Sequence, residues 1–381
     1  MSKPKIRFKG CQGEWESSKL NEIASFSKGH GYSKSDLKED GSPIIMYGSM
    51  YTNYQFEINE VNSFVEQKEK SVISKGNEVI IPASGETAED IACASAILKR
   101  DIIIGGDLNI LTIGNEFSSS FIALALSNGS SHNELVKSAQ GKTIVHLHNT
   151  EIAKAVVYIP PTLPEQRQIA AYFRSLDGIL SGCEARLSSL RRLKEGALQA
   201  FFPQQGETQP KIRFKGCKGE WERKKLSEIA SFSKGHGYSK SDLKEDGSPI
   251  IMYGSMYTNY QFEISEVHSF VEQKKESVIS KGNEVIIPAS GETAEDIACA
   301  SAILKRDIII GGDLNILTLG NEFSPSFIAL ALSNGSSHKE LVKSAQGKTI
   351  VHLHNTEIAK AVVFIPPTLT EQRQIAHFFR T

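Results

Sequence analysis

Side chains suited to touching nucleic acid gather in four short runs of this sequence. Lys28, His30, Tyr32 and Lys34 share the Gly-rich run Lys28-Gly29-His30-Gly31-Tyr32-Ser33-Lys34. Ser49, Tyr51, Asn53, Tyr54 and Gln55 stand in the aromatic, amide-rich run from Gly48 to Gln55. Ser84 and Thr87 lie in the turn Ala83-Ser84-Gly85-Glu86-Thr87, and Lys142 and Thr143 follow Gln140-Gly141. The lysines would neutralise phosphates. Asn53 and Gln55 carry the paired donor and acceptor that adenine needs, while Ser49, Thr87 and Thr143 can serve either base edge. Tyr32, Tyr47, Tyr51 and Tyr54 offer rings to sugars, thymine methyls or bases. Each run taken alone reads more simply as solvated surface.

Residue patterns for catalysis are missing. Ala139-Gln140-Gly141-Lys142-Thr143 has the end of a phosphate loop without its earlier glycine, so a turn exposing Lys142 and Thr143 is the plainer reading. Gly105-Gly106-Asp107 lacks the spacing of a dinucleotide fingerprint. Pro160-Pro161 lacks the neighbours of an amino-methyltransferase motif. His146-x-His148 would share one face of a strand, but no acidic or Cys partner stands at a metal-ligand spacing. Ser84-Gly85-Glu86 is no nucleophile elbow, and Glu89-Asp90 reads as a solvated pair.

The whole chain sets the context. Its 381 residues, 40% hydrophobic and 23% charged, leave room for two or three domains of a soluble globular protein. No apolar run reaches the length of a membrane span, and no charged-then-apolar leader opens the chain. The formal net charge of −1 is not that of a free-standing nucleic-acid binder, so DNA contact would fall to local basic loops or be shared with a basic partner. Cys11, Cys93, Cys183, Cys217 and Cys299 are odd in number and scattered. They fit reduced thiols in a cytoplasm.

The feature that gives the loops weight is a duplication. Residues 4–175 and 210–381 align without a gap at an offset of 206 and differ at 16 of 172 positions. The loop residues therefore recur as Lys234, His236, Tyr238 and Lys240; as Ser255, Tyr257, Asn259, Tyr260 and Gln261; as Ser290 and Thr293; and as Lys348 and Thr349. Two copies of one surface suit a two-fold ligand, and a DNA inverted repeat is the commonest of these.

Elements must position the loops. Trp15 to Phe26 suggests a short core-seeding element, Pro43–Tyr47 a buried strand, Glu78–Pro82 a strand ending in the turn at Ala83, and Ile102 to Thr112 a hairpin turning at Gly105-Gly106-Asp107. Ser119 to Leu126 predicts a helix that stops at Asn128-Gly129-Ser130. Ile144 to His148 alternates like a strand, and Ala155 to Ile159 is a last apolar strand. Strands and helices interleave irregularly, which favours an α+β fold of mixed α/β domains over a repeated βαβ plan.

A long helix then leaves the first copy. Thr162 and Glu165 have capping-box spacing, and Pro164 falls in the first turn. Ile169, Phe173, Leu176, Leu180, Cys183, Leu187, Leu190, Lys194, Ala197 and Phe201 then recur in steps of four and three. That is a heptad seam, which asks for a partner helix. The seam residues expected at a subunit interface are Ile169, Phe173, Leu176, Leu180, Leu187, Leu190 and Phe201. The expected layout is a first domain over 1–162, a helix over 163–203, a linker over 204–209, a second domain over 210–368 and a helical stub over 369–381.

The run Pro160-Pro161-Thr162-Leu163-Pro164-Glu165-Gln166-Arg167-Gln168-Ile169-Ala170, with the helix after it, resembles the conserved region of specificity (S) subunits of type I restriction–modification enzymes. Lys5-Ile6-Arg7-Phe8 with Trp15-Glu16, Gln140-Gly141-Lys142-Thr143 and Phe201-Phe202-Pro203 agree, and the double-proline motif recurs at Pro366-Pro367. The resemblance implies two target-recognition domains, each reading half of a split double-stranded DNA site and held apart by an antiparallel coiled coil. It implies methyltransferase (M) subunits around that coil and motor–nuclease (R) subunits beyond. S-adenosylmethionine, ATP and Mg²⁺ would belong to those partners, and this chain would be a non-catalytic reader with no cofactor or metal of its own. The family carries a second long helix, and here the second copy stops within about one turn of its seam. The seam is therefore expected to meet another chain, an M subunit or a second copy of itself. Otherwise the chain is a truncated subunit or a scaffold that holds M subunits without reading DNA. Near-identical domains further predict an interrupted palindrome as the site.

Overall fold

The computed structural model describes residues 4–52, 54–258 and 260–380. The chain divides into two compact units, Met1–Glu184 and Ala185–Thr381. Each unit carries one copy of the duplicated sequence, with the same elements at the same offset.

In the first unit the strands are β1 (Glu16–Lys19), β2 (Ala24–Lys28), β3 (Leu37–Lys38), β4 (Ser42–Ile45), β5 (Glu57–Ile58), β6 (Phe64–Val65) and β7 (Ile73–Lys75). There follow β8 (Glu78–Pro82), β9 (Ser84–Gly85), β10 (Ser95–Ile97), β11 (Arg100–Ile104), β12 (Leu108–Ile113), β13 (Val145–His146) and β14 (Val156–Ile159). The helices are α1 (Leu20–Ile23), α2 (Ser49–Thr52), α3 (Ala88–Ile91), α4 (Ser119–Leu126), α5 (Gly129–Ser138), α6 (Asn149–Ile152) and α7 (Leu163–Phe201).

Two five-stranded sheets, ordered β2-β12-β8-β10-β5 and β3-β6-β4-β11-β7, make the body of the unit. Strand alternation explains the layers. On β8, Val79 and Ile81 join the core under α4 and α5, while Ile80 points into the core shared with Ile45, Ile102 and Ile104 of the second sheet. A strand buried on both faces must be apolar throughout, and Val79-Ile80-Ile81 is. Glu78 begins that strand buried, its carboxylate satisfied by the backbone N–H groups of Lys75, Gly76 and Asn77.

Four expectations change. The apolar runs 102–104 and 108–112 do not pair as a hairpin, because β11 and β12 belong to different sheets. The Gly105-Gly106 turn crosses between the sheets, its N–H groups donating to Ile45 and Gly31 carbonyls. Only glycine fits at Gly29, where a Cβ would sit 1.8 Å from the Gly105 oxygen. Asn128-Gly129 ends α4 but also starts a second helix, α5, whose polar composition hides it. Residues 49–52 form the helical turn α2 rather than loop, and the strand at 144–148 shrinks to Val145–His146.

The helix α7 runs 39 residues, about 58 Å. Thr162 caps it, accepting from the Glu165 N–H at 3.4 Å. Glu165 does not reach back as a capping box would. Its buried carboxylate instead takes two bonds from Arg7, each 2.7 Å, and one from the Trp15 indole. Gln166, also buried, accepts from the Ser118 N–H and donates to the Pro160 carbonyl. Two and a half turns on, Arg174 grips the buried Glu57 of β5 with two parallel bonds from the Nε–Nη2 edge of its guanidinium. The "Pro-Glu-Gln" motif is thus a fastener that binds the helix to its domain. Glu371 with Arg213 and Trp221, Gln372 with Ser324, and Arg380 with Glu263 repeat it in the second unit.

Candidate nucleic-acid interface

Three of the four loops leave the first sheet at one end. Asn109 pairs with Lys28 and Leu108 with Pro82, so the C-terminal end of β2, the N-terminal end of β12 and the C-terminal end of β8 lie side by side. The Lys28 loop and the Ser84–Thr87 turn therefore emerge together. The 140–148 loop joins them because β13 pairs with β9, Ser84 facing His146. Asn109, fully buried, donates to the Leu147 carbonyl at 2.8 Å, and Asn149 donates to the Ser27 carbonyl at 2.8 Å. Those two amides clamp the third loop to the sheet end.

The fourth run enters through Tyr51, whose hydroxyl donates to the Ser84 carbonyl. Burial pushes the Tyr51 phenol well above its ordinary range, so it stays a protonated donor. Tyr47 packs edge-on against the Tyr51 ring, centroids 6.3 Å apart.

At this end Lys28, Lys34, Lys142, Thr143, His30 and His146 are exposed. No salt bridge ties up Lys28, Lys34 or Lys142 among the described residues. A cluster of free ammonium groups on short loops is what phosphate contact requires.

Other expected residues are spoken for by the fold. Tyr32 is pinned: its hydroxyl lies 2.5 Å from the Ser71 hydroxyl and accepts from the Lys68 N–H, with the Lys68 ammonium 4.5 Å over its ring. Tyr238 is held in the same way by Ser277 and Lys274. The Tyr54 hydroxyl donates to the Ala94 carbonyl and bonds Ser127, and burial raises its pKa; Tyr260 repeats this, pushed up to about 12. Thr87 and Thr293 accept from the Asp90 and Asp296 N–H groups as helix caps. The Ser49 and Ser255 hydroxyls donate to the Met46 and Met252 carbonyls. The polar atoms of these side chains are engaged within their own unit.

Gln55 and Ser49 line a cavity of about 300 Å³ with Met50, Ile58 and Asn62. Its counterpart in the second unit holds about 240 Å³, with Gln261, Ser255 and His268 on its wall. Asn53 and Asn259 lie outside the described residues.

His146 and His148 have no acidic or Cys partner at a metal-ligand spacing in the sequence. The structure places both exposed beside Ser84, their rings parallel with centroids 6.2 Å apart, and His352 and His354 repeat this. Among the described residues no group of three metal-ligating side chains forms. The His-x-His alternation was the available signal, and what it lacked was the neighbouring Ser84 strand.

The seam residues divide in two. Phe173, Leu176, Leu180, Leu187 and Leu190 are exposed, in a helix whose residues 171–196 are all exposed. Ile169 packs against the first unit's core, and Phe201 is buried in the second unit's core. Those two therefore serve their own units rather than an outside interface, because each sits at a helix end where the domain body reaches the seam.

A mixed α/β reader of loops on a sheet end, duplicated and fastened to a long exposed helix, defines a class of DNA-reading subunit. The model of the type I restriction modification DNA specificity domain matches residues 12–189 and again 218–381, and the chain belongs to that family. It is the sequence-specific DNA-recognition component of a type I restriction–modification system. The fold is similar to the S subunit of the type I system of M. genitalium, with a TM-score of 0.57 at 15% identity over 99% of this chain and 91% of that one. It is also similar to a chain from a structure of type I system assembly and conformational transition, with a TM-score of 0.53 at 13% identity, again over 99% and 91%. No curated protein matches the sequence significantly. No helix among the described residues is long and apolar enough to cross a membrane.

Proposed function

We propose that the two units read the same half-site in opposite orientation, so that the recognised DNA is an interrupted palindrome. The observation that carries this is the identity of the candidate interface: residues 28–34, 47–55, 83–87 and 140–148 match their counterparts at every position. Phosphates are neutralised by Lys28, Lys34 and Lys142 with Lys234, Lys240 and Lys348. The bases are read from Asn53, Gln55, Thr143 and the exposed histidines, with the equivalent residues of the second unit.

The chain itself catalyses nothing in this reading. It acts in the cytoplasm and positions M subunits, which use S-adenosylmethionine, and R subunits, which use ATP and Mg²⁺. The exposed seam from Phe173 to Leu190 is the surface for M subunits or for a second copy. Methylome sequencing of cells carrying this chain and its M partner tests the proposal. One palindromic motif with a fixed spacer is expected, and two unrelated half-sites would overturn it. Methylation that proceeds without change when Lys142 and Lys348 are both replaced by alanine would favour a scaffold that does not read DNA.

A further inference from the structure

Of the 16 positions at which the two copies differ, Asn62/His268 lines a cavity beside the reading loops in both units. The topology brings that cavity to the reading end. β10 runs antiparallel to β8 with Ser95 opposite Ile80, so Ser95 lies toward the end at which β8 delivers the Ser84–Thr87 turn. β5 runs parallel to β10 with Glu57 opposite Ala96, which carries Gln55 to the same end. There the buried Ser95 hydroxyl donates to the Gln55 carbonyl at 2.5 Å and fixes the backbone. From the second sheet, the Gly105 N–H donates to the Ile45 carbonyl and the Ile44 N–H to the Ser63 carbonyl, so Asn62 arrives beside the end of β4. Ser49, Gln55 and Asn62 thus stand around one cavity of about 300 Å³, all three exposed.

The segment that carries the difference is Asn59-Glu60-Val61-Asn62-Ser63 in the first unit and Ser265-Glu266-Val267-His268-Ser269 in the second. It holds a carboxylate and no lysine or arginine, so it is a poor ligand for phosphates and suits base edges instead. An asparagine side chain has its oxygen and its NH₂ on one carbon, which matches the N7 acceptor and N6 donor of adenine in a single plane. A neutral imidazole has one donor and one acceptor on opposite flanks of its ring and cannot span that pair. Its single N–H suits the major-groove edge of guanine, where N7 and O6 both accept. The His268 side chain is 86% exposed, and its Nε2 lies 3.8 Å from the Glu266 carboxylate, beyond hydrogen-bond reach. The neighbouring difference, Asn59/Ser265, lines only the second cavity.

We infer that Asn62 and His268 are specificity-determining residues that read one equivalent position of the two half-sites differently, Asn62 taking adenine and His268 guanine. The inference rests on DNA reading by the adjoining loops and refines the interrupted palindrome at one symmetric pair of positions. At the other positions the loops are identical and the two halves stay related.

Methylome sequencing is carried out on cells holding the M partner with the parent chain, with His268→Asn or with Asn62→His. The parent motif should be palindromic except at one symmetric pair. His268→Asn should restore the palindrome with adenine in both halves, and Asn62→His should restore it with guanine. Both residues are exposed, so the variants should melt like the parent. With the purified S–M complex, exchanging adenine for guanine in the half-site read by Asn62 should weaken binding about tenfold, and Asn62→His should reverse that preference. A parent motif palindromic at every position, or one that neither substitution alters, overturns the inference while leaving DNA reading intact. A parent complex that prefers no duplex over another overturns the DNA reading beneath it.

Discussion

Position for position, Phe173 and Phe379 are the same residue in the same fold, and their surroundings set them apart. Phe379 is packed by Phe201 and Phe202, while Phe173 faces solvent at the start of an exposed seam. In the second unit the end of α7 completes the core at the fastener end, where Phe201 and Phe202 are buried. The candidate DNA interface shows the opposite behaviour. There the two units are built from identical loops, and each is closed by its own side chains, Tyr51 on Ser84 and Asn109 on Leu147 in one, Tyr257 on Ser290 and Asn315 on Leu353 in the other.

The sharpest way to break the comparison is to truncate the two phenylalanines. Phe379→Ala should cost the second unit about 3 kcal/mol, as for other buried aromatics. Phe173→Ala should change stability by no more than about 0.5 kcal/mol. Hydrogen exchange followed separately over the two halves distinguishes them, and equal losses would mean that Phe173 is covered.

The helix fastener should respond alike in both units. Arg174→Ala leaves the buried Glu57 carboxylate without its partner, and Arg380→Ala does the same to Glu263. About half of each arginine side chain is exposed, which holds the expected loss to about 1–2 kcal/mol, below that of a fully buried pair. Calorimetry should give similar decreases for the two variants, with Glu57→Gln milder than Arg174→Ala.

On DNA, Lys142→Ala and Lys348→Ala should each weaken binding of the S–M complex and reduce the salt slope by about 1. The two losses should be equal on a palindromic site. Unequal losses in salt-titrated anisotropy would show that the units do not read equivalent half-sites.

One electrostatic difference does reach the interface. The Glu69-Lys70 pair of the first unit is Lys275-Glu276 in the second, and Glu276 comes within 3.3 Å of His236. Glu276→Lys should therefore tighten DNA binding modestly, about threefold or less for one rim charge. Lys70→Glu should loosen it by a similar factor, and a change confined to one of the two would argue that only that loop lies on DNA.

The smallest effect is in acid. Lys68 and the Ser33 N–H hold the Asp36 carboxyl down at about 2, against an ordinary value of 3.8. A depressed carboxylate contributes stability above its unfolded pKa and loses it as pH falls through the folded one. The Lys68–Asp36 and Lys274–Asp242 links should thus weaken between about pH 4 and 2. Asp36→Asn and Asp242→Asn should remove that part of the acid response equally.

Much of this was written in local sequence. The offset of 206 alone established two like domains, because sequences differing at only 16 of 172 positions fold alike. Glu78–Pro82 announced a strand, and Pro203 the end of α7. The loops were legible as loops because Gly, Ser and Asn mark them. Reading roles were harder to see. Tyr32, Tyr54 and Thr87 have the right chemistry for DNA, but Ser71, Ser127 and the α3 N-terminus, distant or unremarkable in sequence, claim their polar atoms first.

Sequence by itself determined the duplication, the strands at 78–82 and 156–159, the long helix with its seam, and which loops carry charge. Only the tertiary structure decided that β11 and β12 part into two sheets, that Glu165 serves Arg7 and Trp15 rather than a capping box, and that Phe202 is buried against Phe327. Those outcomes depend on contacts between residues from about 30 to 158 positions apart, and no local pattern encodes that.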